Sequence, residues 1–267
     1  MKVRIDKLLV ERGLVPSRER AQAMVLAGRV LVNGQKVEKA GAAVDAEAEL
    51  RLLGEDLRYV GRGGLKLEAA LENWSINLTG RTCVDVGAST GGFTDCMLQH
   101  GAAEVIAVDT GYGQIAARLR SDPRVKLLEK TNARYLTAQQ LQSAGAAGAA
   151  SFIAVDVSFI SVTLILPAVL QAAFSPLHQT KTASGGDPGI GASPGQEWVV
   201  LVKPQFEAGR EHVGKGGIVR DERAQQAAVE KVRRLVIDLG GRNVAVMDSP
   251  ILGAEGNREF LLHAEFE

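Results

Sequence analysis

The stretch from Cys83 to Thr94, Cys-Val-Asp-Val-Gly-Ala-Ser-Thr-Gly-Gly-Phe-Thr, constrains the fold of this chain more than any other. Cys83 to Val86 reads as a short strand, apolar on both sides of a single carboxylate, Asp85. Gly87, Gly91 and Gly92 break that strand and let a ligand approach the backbone closely. The pattern predicts a helix from about Thr94 through Cys96, Met97 and Leu98 to Gly101. A strand, a glycine turn and a helix start together make a nucleotide-binding corner, because the first N–H groups of a helix have no partner within it.

A dinucleotide-binding unit carries G-x-G-x-x-G at such a corner. This chain has G-x-S-x-x-G instead (Gly87, Ser89, Gly92), preceded by Asp85. Seventeen residues past Gly92, a second apolar run from Glu104 ends in Asp109. An acid at the end of the second strand of a doubly wound sheet can take both hydroxyls of a ribose. The corner has no phosphate-cradling Lys-Ser/Thr pair, and Asp85 would repel a pyrophosphate. A nucleoside with a positively charged tail fits these features, and S-adenosylmethionine is the expected cofactor; a plain βα turn is the alternative. Asp85, Gly87, Ser89, Gly91, Gly92, Phe93 and Thr94 are then expected around the methionine moiety and the turn, with Asp109 on the ribose. Asn132, after the run 125–128, is expected either at the adenine edge or as an ordinary turn residue.

The rest of the composition narrows the class. The formal net charge is zero, yet residues 1–44 hold nine Lys/Arg against four Asp/Glu. Zero net charge weakens the case for general nucleic-acid affinity, while the local excess keeps a directed nucleic-acid contact at this end. Cys83 and Cys96 lie in the central strand–turn–helix and read as reduced core residues. Neither they nor the four histidines show metal-ligand spacing, so no metal is expected. No apolar run approaches the ~18 residues of a membrane span, and Met-Lys-Val-Arg-Ile-Asp is no signal peptide. A cytoplasmic, monomeric protein without membrane contact is expected.

Residues 1–60 form a unit of their own. Asp6 is expected to cap a first helix that Gly13 ends, and Ser17 a second that Gly28 ends. Val30–Val32, Asn33-Gly34 and Lys36-Val37 form a strong hairpin signal, since Asn-Gly suits the type I′ turn. Leu53 to Val60 reads as a polar connector, and the second domain, 61–267, starts with a helix over about 64–72. Strands are predicted at 82–86, 104–108, 125–128, 152–155 and 198–202, alternating with helices. The spacing argues for an α/β fold, a mostly parallel doubly wound Rossmann-like sheet, behind a small α+β domain. The stretch 178–197, rich in Gly, Ser, Thr and Pro, reads as a disordered insertion, and 139–150 as an Ala-rich helix end.

Four charged residues fall where strands end or begin, or lead into the sheet: Lys66, Asp156, Lys203 and Glu259. Each alone could be a surface charge, but ligands in open α/β sheets bind at the carboxyl ends of strands.

Two resemblances add to this reading. Asp-Lys-Leu-Leu-Val-Glu-Arg-Gly, Ser-Arg-Glu-Arg-Ala, Ala-Gly-Arg-Val and Val-Asn-Gly-Gln-Lys-Val resemble the small RNA-binding domain named after a protein of the small ribosomal subunit. The resemblance implies RNA contacts from Arg4, Arg18, Arg20, Arg29 and Lys36; Arg62 and Arg134 are expected on RNA phosphates. Lys66, Asp156, Lys203 and Glu259 resemble the tetrad of ribose 2′-O-methyltransferases of the FtsJ type. With Gly-Ala-Ser-Thr-Gly-Gly-Phe-Thr, Asp-Val-Ser-Phe-Ile-Ser, Val-Lys-Pro-Gln-Phe-Glu and Gly-Asn-Arg-Glu-Phe, the whole chain resembles the TlyA family of rRNA methyltransferases, named haemolysins in older usage.

That resemblance implies methylation of a ribose 2′-hydroxyl of ribosomal RNA, on a cytidine, with the tetrad catalytic. Lys203 would act as base or as electrostatic partner of the 2′-oxygen, with Asp156 and Glu259 orienting it. An amino-group methylase would carry Asn/Asp-Pro-Pro-aromatic where this chain has Asp156-Val-Ser-Phe159, and a cytosine C5 enzyme needs a thiolate at a later strand end. The rival readings are an idle RNA-binding or assembly factor on the same fold, and a haemolytic pore-forming protein.

Overall fold

The computed structural model describes residues 2–15, 17–53, 58–144, 150–174, 195–253 and 255–267. The chain divides into two compact units, Met1–Leu57 and Arg58–Glu267.

The first unit contains β1 (Lys2–Arg4), α1 (Ile5–Glu11), α2 (Arg18–Leu26), β2 (Val30–Val32), β3 (Gln35–Lys36), β4 (Ala43–Asp45) and β5 (Leu50–Leu52). Its core is small, built on Ile5, Leu9, Ala21, Val25 and Val30. Ser17 caps α2, accepting from the Arg20 N–H at 3.2 Å. The β2–β3 hairpin turns through Asn33 and Gly34, at φ 49° and 79°, the left-handed pair a type I′ turn requires. Asp6 departs from expectation. Arg4, not Asp6, occupies the N-cap of α1, while Asp6 lies inside the first turn, fully buried. There it accepts from Arg4 (3.0 and 2.9 Å), Arg18 Nε (2.9 Å) and Gln22 Nε2 (2.9 Å). A short polar side chain next to a helix start suits a cap, but donors converging from Arg4 before the helix and from Arg18 and Gln22 on α2 outweigh that preference.

The second unit begins with α3 (Gly63–Asn73), then β6 (Thr82–Val86), α4 (Gly92–Gln99), β7 (Glu104–Val108), α5 (Ala117–Arg120), β8 (Val125–Leu128), α6 (Ala138–Ser143) and β9 (Phe152–Val155). It continues with α7 (Leu166–Phe174), β10 (Gln196–Val202), α8 (Pro204–Glu207), α9 (Glu222–Asp238), β11 (Arg242–Asp248) and β12 (Phe260–Phe266). Seven strands form one sheet in the order β11-β12-β10-β9-β6-β7-β8. The neighbours from β10 to β8 are all parallel; β12 alone runs the other way, antiparallel to both β10 and β11. The sheet is buried on both faces. Val84 and Val86 enter one apolar cluster with Ile153, Val200 and Val232, while Cys83 enters the other with Leu67, Met97 and Val199.

Smaller differences from the sequence reading have local causes. The helix after the glycine turn starts at Gly92, two residues early, because Gly91 takes the left-handed cap at φ 96°. Tyr59, assigned to a polar connector, is buried in the second unit against Gly64. Gln196 and Glu197, assigned to the insertion, open β10, and Gln196 is buried. The remainder of that stretch, 178–194, lies outside the described residues, as do residues 145–149 of the Ala-rich segment. Among the described residues no helix is long and apolar enough to cross a membrane.

Asp6 generates a prediction. Arg4, Gln22 and Arg18 hold its carboxyl well below the usual range, so its contribution is present above the ordinary carboxylate pKa of about 3.9 and lost as pH falls further. Asp6→Asn is expected to reduce hydrogen-exchange protection of α1 and α2 at pH 7 by the equivalent of about 1–3 kcal/mol. The gap between variant and wild type narrows below about pH 4.

Candidate active site

The sheet order reverses at β6, with β7 and β8 on one side and β9 and β10 on the other. A crevice opens at the carboxyl ends of strands where such a reversal occurs. Register pairs Val86 with Val108 and with Val155, so Gly87, Asp109 and Asp156 leave their strands side by side. Gly87 is held by its N–H to the Val108 carbonyl at 2.8 Å, with φ 91°. A Cβ there would stand 2.3 Å from the Asp156 carbonyl oxygen, so only glycine lets the two chain ends converge. Beside them lies a cleft of about 420 Å³, lined by Gly87, Ser89, Asp109, Asn132, Asp156, Ser158 and Phe159 among others.

Asp109 is fixed by backbone donors. Its Oδ2 accepts from the Ser89 N–H at 2.8 Å and its Oδ1 from the Gly111 N–H at 2.6 Å. Each oxygen keeps a lone pair for a further donor. Asn132 Oδ1 accepts from the Arg134 N–H at 3.0 Å, which leaves the amide nitrogen uncommitted to that bond on a residue that lines the cleft. The other five residues expected around the cofactor are buried and do not line the cleft: Asp85, Gly91, Gly92, Phe93 and Thr94. They brace it from behind. Asp85 Oδ2 accepts from the Thr94 N–H at 2.9 Å and the Thr94 hydroxyl at 2.6 Å, tying β6 to the start of α4. Its Oδ1 is buried without a hydrogen-bond partner among the described residues. Burial pushes the Asp85 carboxyl up to about 7; the Thr94 hydrogen bonds oppose this, and the charges of Asp156 and Asp109 add to it.

The four charged residues form two ion pairs. Lys203 Nζ lies 2.6 Å from Asp156 Oδ1 but donates its hydrogen bond to Ser158 Oγ at 2.7 Å, so the Asp156 contact is one of charge, off the hydrogen-bond direction. Lys66 Nζ donates to Glu259 Oε2 at 2.5 Å, both side chains being buried. Glu259 was expected to orient Lys203 and instead meets Lys66. Close backbone contact brings α3 to this corner. A Cβ on Gly92 would be 3.1 Å from the Gly64 nitrogen, and one on Gly63 would be 3.8 Å from Asp156 Oδ2. Lys66 follows one turn later on α3. Glu259, at the entry to β12, is covered by Gly253, whose Cβ would sit 2.4 Å from Glu259 Oε1.

Two site residues escaped the sequence reading. Ser158 lies two positions past Asp156 in a motif already singled out, and its hydroxyl signals only once Lys203 is seen beside it. Phe159 stands at the lip of the cleft, 92% exposed and at φ 65°. Of the expected RNA contacts, Arg4, Arg18, Lys36, Arg62 and Arg134 are exposed, and Arg20 and Arg29 half-buried. Arg4 and Arg18 are ion-paired to Asp6.

Comparison with known proteins agrees with this geometry. The model of the FtsJ-like methyltransferase family matches residues 59–266, and that of the S4 domain residues 3–50. A Bacillus subtilis protein named as a candidate rRNA methyltransferase, YqxC, is 44% identical over 98% of this chain and 85% of its own. The 16S/23S rRNA (cytidine-2′-O)-methyltransferase TlyA of Mycobacterium tuberculosis is 40% identical over 98% of this chain and 89% of its own. A solved structure of a candidate hemolysin from Streptococcus thermophilus superposes with a TM-score of 0.71 at 42% identity, covering 99% of this chain and 88% of that one.

Asp85 carries a pH prediction. Its folded-state pKa lies above the ordinary 3.9, so the native state holds a proton that the unfolded chain has lost, and stability falls as pH rises from about 4 to 7. Asp85→Asn keeps an acceptor for Thr94 and does not titrate. The variant is expected to gain on the wild type by up to about 1.4 kcal/mol per pH unit in that window, and to level off above it. Urea midpoints read from tryptophan fluorescence check this, since Trp74 and Trp198 both lie in the second unit. Parallel pH profiles for the two proteins would refute the assignment.

Proposed function

This chain belongs to the FtsJ-like methyltransferase family, and on that premise we propose that it transfers a methyl group from S-adenosylmethionine to the 2′-hydroxyl of a cytidine in ribosomal RNA. The observation that supports this most is the set of two ion pairs, Lys203–Asp156, whose aspartate lines the cleft, and the buried Lys66–Glu259. The relatives named for rRNA methylation point the same way. The protein is proposed to work in the cytoplasm as a monomer, with RNA brought in by its S4 domain.

The residues present fit the cofactor. Asp109, oriented by two backbone N–H groups, has lone pairs left for two ribose hydroxyls. Asp109 and Asp156 on the cleft walls give the corner a negative character suited to a cation, and the turn holds no lysine that would favour a phosphate. Bound there, S-adenosylmethionine supplies an electrophilic methyl group on a sulfonium. Gly87 lets a ligand lie against the backbone, and Asn132 offers its amide nitrogen to the adenine edge.

A ribose 2′-hydroxyl is a weak acid, so its proton must leave as the oxygen is alkylated. Lys203, once its ammonium has released a proton to solvent, is proposed to take the hydroxyl proton as a neutral amine, with Ser158 and Asp156 fixing its direction. Lys66, neutralised by Glu259, would lie beside the developing charge without adding a second unpaired cation. Much of the rate would come from holding the hydroxyl in line, worth up to ~7–11 kcal/mol in favourable cases. In the first unit Arg20, Arg29 and Lys36 would meet RNA phosphates; Arg4 and Arg18 would do so while bound to Asp6.

Four variants test these roles. Lys203→Ala is expected to lower single-turnover methyl transfer roughly 10²–10⁴-fold while leaving cofactor affinity unchanged. Lys203→Arg distinguishes a base from a fixed charge, since a guanidinium cannot accept the proton. Full activity in Lys203→Ala sinks the mechanism. Asp109→Ala should weaken cofactor binding in calorimetry, and an unchanged affinity removes Asp109 from the site. Lys36→Ala should reduce the slope of log affinity for RNA against log salt by about one unit if it contacts a phosphate.

A further inference from the structure

The antiparallel pairing of β10 with β12 sets Glu197 opposite Glu265 and Val199 opposite His263. Residues two apart on a strand share a face, so Glu197, His263 and Glu265 project to the same side of the sheet. One ligand atom from each lies within 4.8 Å of the other two. His263 is only 6% exposed, and its Nε2 is buried without a hydrogen-bond partner among the described residues. That nitrogen lies 3.7 Å from Glu197 Oε1, too far for a hydrogen bond. The imidazole is held from behind by Trp74, stacked with ring centroids 5.2 Å apart. The outer carboxylate oxygens are already taken: Arg81 donates to Glu197 Oε2, and Asn243 Nδ2 to Glu265 Oε2 at 2.7 Å. Two carboxylates and one guanidinium thus surround a buried ring nitrogen that has no hydrogen-bond partner among the described residues.

We propose that Glu197, His263 and Glu265 bind a zinc ion, with water in the open fourth position, at a site that joins β12 to β10. One imidazole nitrogen and two carboxylate oxygens form a donor set zinc accepts, at about 2.0–2.2 Å. Tetrahedral coordination at that length separates ligand atoms by about 3.3–3.6 Å. The cluster therefore has to contract only through side-chain rotation. Arg81 and Asn243 would then orient the two carboxylates from outside, as partners of metal ligands commonly do. The site is remote from the chemistry: Glu197 and Lys203 are six residues apart on one extended segment, roughly 20 Å at about 3.3 Å per residue. An ion here would act on the stability of the sheet, not on methyl transfer. The histidines show no ligand spacing in the sequence because the site is assembled by strand pairing alone.

The test uses the full-length protein, with any affinity tag removed and metal stripped by chelation, titrated with Zn²⁺ and separately with Co²⁺. The expected result is one equivalent of zinc, a rise in melting temperature with zinc, and the visible absorption of tetrahedral Co²⁺. Glu265→Gln and His263→Gln should each weaken zinc binding by more than the roughly 10–100-fold typical of losing an outer partner. Glu265→Gln keeps the side-chain shape at a half-buried position, so it reports on the ligand even if the histidine variant folds poorly. No saturable equivalent in the wild type, or unchanged affinity in Glu265→Gln, overturns the proposal.

Discussion

The second unit depends on one steric condition, that nothing larger than hydrogen stands on the α-carbon of Gly87. The ends of β6 and β9 approach there until the Asp156 carbonyl occupies the space a side chain would need. From that contact follow the crevice at the sheet's reversal, the placement of Asp109 and Asp156 on its two walls, and the meeting of Asp156 with Lys203. A second condition of the same kind, the glycine contact between the starts of α3 and α4, brings Lys66 to the same corner. Backbone packing comes first here, and the charges are carried in on it.

What could be read from the sequence followed the range of the interactions. The glycine turn, the β2–β3 hairpin and the Ser17 cap were legible because each is decided within a few residues. So was the alternation that gives a mostly parallel sheet. The partners of the charged residues were not. Lys66 and Glu259 are 193 positions apart, and nothing in either neighbourhood says that Glu259 turns to Lys66 and not to Lys203. Asp6 shows the opposite error, in which a good local rule for caps is overridden by its neighbour Arg4 together with two donors that arrive from α2.

Asp85 and Thr94 show why a motif is not a map of contacts. Both belong to the glycine-rich signature, yet their side chains bond to each other inside the protein. A signature of this kind records what the turn needs in order to exist as well as what touches a ligand. The cleft itself is lined by exposed or half-buried neighbours such as Ser89, Asp109 and Asn132.

The reversed strand β12 has a consequence for timing. It sits inside the sheet, between β10 and β11, although it follows both in sequence. Until it is in place, β10 presents an open edge of unpaired backbone groups, and Lys66 lacks the carboxylate that neutralises it. A nascent or truncated chain that stops short of β12 would therefore carry the whole glycine turn and cleft walls and still be incomplete. Both the edge of β10 and the charge of Lys66 are thus completed by the strand synthesised last.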